Sequence, residues 1–261
     1  MTAATLEPAG ATSREAKYFY VWMAAACVAV AFLGFAPTYW LRVATGNFTA
    51  KPIIHIHGLL FSLWTLFFFA QTWFVARGQV TRHREMGLVG ISLATAMFIV
   101  AVLAAMRSMA HAAELGAGLM GQEFAIVSLT AIVFFAAVVA LAIANVRRPE
   151  VHKRLMLLAT VSILQAAAAR WFFVLLGPPE TRGLSPSETG PVPVSISIAP
   201  GLLVDVLIVV AMIYDWRTRG RVHPVYLIGG PALLFLQIIR VPLSTTPAWH
   251  AIAGWVASLA G

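Results

Sequence analysis

The chain has 261 residues, 60% of them apolar and 11% charged, with a net charge of +8 and a mean hydropathy of +0.85. A soluble domain is nearer ~45–50% apolar and ~25% charged, so this composition excludes one and points to a polytopic membrane protein. No basic stretch interleaves with stacking aromatics, which excludes a nucleic-acid groove, and the lone Cys27 excludes a disulfide, a thiolate zinc cage, a cysteine-ligated iron–sulfur cluster and a CxxCH haem attachment.

In chain order, residues 1–17 are small and polar and read as a disordered cytoplasmic tail. Seven continuous apolar runs follow, at 18–41, 52–76, 86–106, 122–145, 153–176, 198–216 and 223–243. They lack the alternation of barrel strands, so the expected fold is an all-α bundle of seven transmembrane helices over 18–243. The first run is too long for a signal peptide and has no clear cleavage site, so it reads as a retained helix. Residues 244–261 are too few to span comfortably. They read as an external or interfacial tail anchored by Trp249 and Trp255.

Basic residues alternate between the loops. Arg14, Lys17, Arg77, Arg82, Arg84, Arg147, Arg148, Lys153, Arg154, Arg217, Arg219 and Arg221 fall on one side, against Arg42, Lys51, Arg107 and Arg182 on the other. This asymmetry predicts an inner-membrane protein with its N-terminus in the cytoplasm and its C-terminus outside. Three basic loops look alike: ARGQVTRHREMG, VRRPEVHKRLML and TRGRVHPVYLIG. Each places a histidine (His83, His152, His223) at the door of the next helix, consistent with a two-helix unit used three times or with ordinary positive-inside loops.

Ionisable groups inside spans are costly and usually face the bundle interior. Arg170 and Arg240 each lie seventeen residues into their helices, about 25 Å from the cytoplasmic end, and Asp205 lies about 10 Å below the outer end. All three therefore fall in the outer half, where Asp205 could pair with either arginine and Gln237 lies a turn from Arg240. On the second span His57 shares a helical face with Trp64 and Gln71, while His55 lies about 200° round the helix from His57. Arg170, Asp205, Gln237, Arg240 and His57 thus form a candidate binding site. His55, His57 and His111, with Glu123 and His250 nearby in topology, offer donors suited to zinc or copper. A haem or a quinone-like anion would use the same region. The plain alternative is a hydrogen-bond and ion-pair network that only locks helices five, six and seven.

The segments FAPTYWL, PIIHIHGLLFSLW, RHREMG, VHKRLMLLA and AARW resemble those of a widespread family of uncharacterised bacterial inner-membrane proteins, over nearly the whole chain. The resemblance implies the membrane fold but no reaction. A more distant likeness, resting on His152 to Met156, is to small multi-pass proteins of cytochrome-oxidase assembly. No histidine lies mid-membrane, which disfavours a transmembrane haem pair but leaves room for one haem near the outer face. The expectation is a membrane protein with an outer polar site for a metal, haem or quinone-like ligand, serving respiratory redox or assembly. Besides the lipid bilayer, a membrane-protein partner fits that role. A small transporter or channel and a ligand-free scaffold are the alternatives.

Overall fold

The structure, a computed structural model, describes residues 9–181, 184 and 186–259. It contains seven helices long and apolar enough to cross a bilayer, in the order of the predicted runs. Helix α1 (Ala9–Phe35) runs on through a π turn (Ala36–Trp40) and a last turn (Leu41–Ala44). It is followed by α2 (Pro52–Ala76), α3 (Val80–Glu114), α4 (Gly118–Ala144), α5 (Pro149–Leu176), α6 (Ile198–Arg219) and α7 (Pro224–Ser244). Large apolar side chains such as Leu88, Ile99, Val133, Leu141, Val206 and Phe235 remain exposed, as a surface that meets lipid requires. This is a multi-pass membrane protein.

Two helices exceed their predicted bounds by more than five residues at one end or both. α1 starts at Ala9, inside the segment read as a disordered tail; residues 1–8 lie outside the described residues. α3 has 35 residues, about 52 Å at ~1.5 Å each, against ~30 Å of hydrocarbon. No proline interrupts it, so it continues until Gly116 adopts φ 74° and the Gly116 and Ala117 amides bond back to Ala113 and Ala112.

α5 is the central element. In its most apolar stretch 56% of residues are buried, against 17–33% in the other spans. Small residues let its neighbours approach: a Cβ at Gly34 of α1 would lie 2.5 Å from the Ala167 carbonyl oxygen, and one at Gly229 of α7 would lie 2.3 Å from Leu158. Trp64 of α2 packs edge-on to Phe135 of α4 and donates its indole N–H to the Thr160 hydroxyl at 3.2 Å. The α5 ladder breaks at Ile163–Leu164, just after Thr160 and Ser162 turn their hydroxyls back to the carbonyls of Met156 and Ala159. Such back-bonding bends helices.

The C-terminal segment forms α8 (Pro247–Ser258). Thr246 caps its N-terminus, and the Trp249 indole donates to the Gln122 carbonyl at 2.8 Å. Ala253 and Val256 pack on Met106, Met109 and Ala125, while Trp255 stays exposed.

Candidate functional site

Away from the arginine-rich end, the polar residues inside the bundle form two groups rather than one. The first joins α5, α6 and α7. Arg240 is 2% exposed, and its Nη2 donates to Gln165 Oε1 at 2.8 Å and to the Ser197 hydroxyl at 3.0 Å. Gln165 in turn donates to the Ser197 carbonyl at 2.8 Å. Neutral dipoles therefore hold this guanidinium directly, and the Asp205 carboxylate acts on it only at longer range. Gln237, one turn from Arg240 on α7, donates to Asp205 at 3.3 Å, and Gln237 Oε1 and Arg240 Nε keep no partner. The expected ion pair between Asp205 and an arginine does not form among the described residues: Gln237 occupies the carboxylate.

The second group joins α1, α2 and α5. Arg170 lies five residues beyond Gln165, which turns it about 140° round the helix, away from Arg240. Helical geometry thus splits the single site expected from matched depth. The Arg170 guanidinium sits over Phe35 at 5.1 Å, and its Nε and Nη1 are buried without a hydrogen-bond partner. It acts electrostatically on His57, whose buried Nδ1 is also unpartnered and whose ring stacks on Phe61 at 4.2 Å.

The π turn after Phe35 packs against the second half of α5. Its origin is local. Pro37 has no N–H to offer the Leu33 carbonyl, and the Trp171 indole from α5 donates to that carbonyl at 3.1 Å. The turn carries two further buried groups without partners, the Thr38 hydroxyl and Trp40 Nε1. Thr38 and Trp40 are functional candidates that sequence reasoning missed; Pro37 within FAPTYWL was the available signal.

The three histidines read as metal donors have separate surroundings. His55 Nδ1 bonds the Tyr39 hydroxyl at 2.9 Å, with Phe48 edge-on to its ring. His57 faces Arg170. His111, near the end of α3, pairs with Glu114 at 3.2 Å, which also holds Arg107 at 2.8 Å. Glu123 and His250 form a loose 3.7 Å pair. Among the described residues no three His, Cys, Asp or Glu side chains converge to hold a metal ion.

The arginine-rich end holds a network that the loop count concealed. Arg154 and Asp215 have no exposed surface and form a bidentate ion pair: Nε donates to Oδ2 at 2.8 Å and Nη2 to Oδ1. Arg154 also donates to the Glu150 carbonyl and carboxylate, each at 2.8 Å; Glu150 further binds Lys153 at 2.7 Å and Arg219. The His223 amide donates to Asp215, and the His223 ring caps α7 by accepting from the Val225 amide at 3.2 Å. Burial, then the nearby Arg154 charge, holds the His223 imidazole below its ordinary pKa. The His83 and His152 rings meet edge-on at 6.3 Å, and His152 Nδ1 donates to the Ala142 carbonyl. The Arg154–Asp215, Glu150–Arg219 and His223–Asp215 contacts tie the start of α5 and the start of α7 to the end of α6, and the remaining bonds brace those helix ends locally, a structural role. Comparison with known proteins identifies no relative: no family model, no curated protein and no solved structure matches the chain.

Proposed function

We propose that this is an inner-membrane protein, N-terminus in the cytoplasm and C-terminus outside, that binds a small ligand bearing acceptor oxygens in the outer half of its bundle and serves respiratory redox or assembly. The observation that carries this reading is the half-buried Arg170 guanidinium, two of whose nitrogens are buried without a partner within electrostatic reach of an unpartnered imidazole nitrogen. A buried donor without a partner costs about 1–3 kcal/mol, and more when charged. A ligand oxygen removes that cost. The positive-inside asymmetry and the likeness to respiratory assembly proteins support the location and the role. Among the described residues the donor set does not fit a metal, because the histidines lack further convergent ligands.

The test is chemical. Protein purified in mild detergent is extracted with organic solvent, and the extract is analysed by mass spectrometry beside the absorption spectrum and metal content. A stoichiometric oxygen-bearing molecule with the natural chain, lost from Arg170→Gln, is the expected result. A ligand-free natural chain of unchanged stability in Arg170→Gln would overturn the reading. The scaffold reading then takes its place, favoured by the way Gln165 and Ser197 close round Arg240.

A further inference from the structure

The arginine-rich end carries more arginines than its ion-pair network uses. Glu150 and Asp215 answer Lys153, Arg154 and Arg219. The turn between α2 and α3 lies at the same end, since His83 near the start of α3 meets His152 near the start of α5. That turn holds Arg77 and Arg82. Both are exposed, and among the described residues neither forms an ion pair or a hydrogen bond, not even with Glu85 nearby in the chain.

Both guanidiniums are nevertheless held in place. That of Arg77 sits over the Trp73 ring at 5.6 Å, and that of Arg82 over the Phe74 ring at 4.8 Å. Trp73 is itself fixed, with Phe69 stacked on it at 6.3 Å and Tyr18 of α1 edge-on at 6.4 Å. Two consecutive aromatic residues near the end of α2 thus carry one arginine from each side of the turn. A cation–π contact consumes no hydrogen-bond acceptor, so the N–H donors of both arginines stay unspent. Ordering the two side chains in advance lowers the entropy that a ligand must overcome.

An anion at the membrane surface fits this arrangement. Trp73, Val75 and Val80 expose apolar surface next to the two arginines in the chain, which suits acyl chains better than a solute in water. A phosphodiester presents the paired oxygens that guanidinium forks match. A zwitterionic head group brings its own ammonium, which answers its phosphate and is repelled by the arginines. An anionic phospholipid brings no such cation.

We infer that the α2–α3 turn binds the phosphodiester head group of an anionic phospholipid, with Arg77 and Arg82 as donors and Trp73 and Phe74 as the platform that orients them. The site uses neither Arg170 nor the ligand proposed there, so each can fail without the other.

Delipidated protein in detergent is titrated with short-chain phosphatidylglycerol, and bound lipid is counted by native mass spectrometry. Phosphatidylcholine of the same chain length and inorganic phosphate are separate probes. Saturable binding of phosphatidylglycerol is expected, tighter than that of phosphatidylcholine and not displaced by equal phosphate. Each arginine near an anionic lipid surface contributes about 5-fold, so Arg77→Gln with Arg82→Gln should weaken binding about 25-fold. Trp73→Leu keeps the charge, removes one ring, and should weaken it about 2–5-fold. Arg147→Gln with Arg148→Gln removes the same charge from two exposed arginines at this end that contact no ring among the described residues, and should weaken it about 2-fold at most. Equal losses in the two double variants would show a diffuse positive field and overturn the site. Phosphatidylcholine bound as tightly as phosphatidylglycerol would overturn the charge selection. Displacement by equal phosphate would overturn the lipid as the source of the phosphate. Monodisperse elution is the control for folding, and the replaced arginines are exposed.

Discussion

Asp215→Asn tests whether the network at the arginine-rich end holds the bundle together. The substitution preserves shape but removes the charge that answers Arg154, and both side chains have no exposed surface. Breaking a buried pair from one side costs about 3–5 kcal/mol, because an uncompensated charge remains. Here the lower end applies. Glu150 still accepts from Arg154 at 2.8 Å, although it is partly exposed and shared with Lys153 and Arg219. A loss of about 3 kcal/mol at roughly 2–4 °C per kcal/mol lowers the melting temperature by about 6–12 °C. The assay is thermal unfolding of the purified protein in one fixed detergent, with natural and variant chains side by side. The double variant Arg154→Met with Asp215→Leu should recover most of the loss, since apolar pairs of similar size often replace buried ion pairs without cost. A drop below about 3 °C in the single variant, or a double variant no better than the single, would refute the reasoning.

Other expectations follow from the same geometry. Gly34→Val places a Cβ 2.5 Å from the Ala167 carbonyl oxygen and should cost about 1–3 kcal/mol or prevent assembly, whereas Gly254→Ala, with open space around it, should stay within about 0.5 kcal/mol of the natural chain or above it; size exclusion and thermal unfolding read both. Gln165→Leu removes an acceptor from buried Arg240 and should lower stability by about 1–3 kcal/mol in the same assay. The His223 ring is held neutral in the folded chain, so below about pH 6.5 the unfolded chain takes the proton first and stability falls with falling pH; His223→Gln should flatten that slope in unfolding measured across pH 5–8. In a Cys27→Ala background, a cysteine at Arg148 should resist an impermeant thiol reagent added outside intact cells, and one at Thr245 should react; the reverse pattern would invert the proposed orientation.

The bundle itself was legible because bilayer thickness imposes a length on every span, and seven apolar runs meet it. The separation of His55 from His57 was legible for a similar reason, since two residues turn a helix by a known angle. The single polar site was not. Matched depth along parallel axes says nothing about which way Arg170 and Arg240 point, and the five-residue step from Gln165 to Arg170 sends them to opposite sides of α5. Asp205 went to Gln237 because an amide one turn from Arg240 reaches it first. Arg154 hid among four basic residues that open one helix. Only the fold reveals that it alone turns inward to meet Asp215, while its neighbours stay partly or fully exposed.

The Leu33 carbonyl, 138 residues from the indole that serves it, ties two distant positions into one unit. Proline at 37 leaves that oxygen without its usual helical donor, and tryptophan at 171 supplies one from another helix. A chain with an N–H at position 37 satisfies Leu33 locally and releases position 171 from carrying an indole. When related sequences are aligned, Pro37 and Trp171 should therefore be retained or lost together. Leu33 itself should vary freely among apolar residues, because only its backbone takes part.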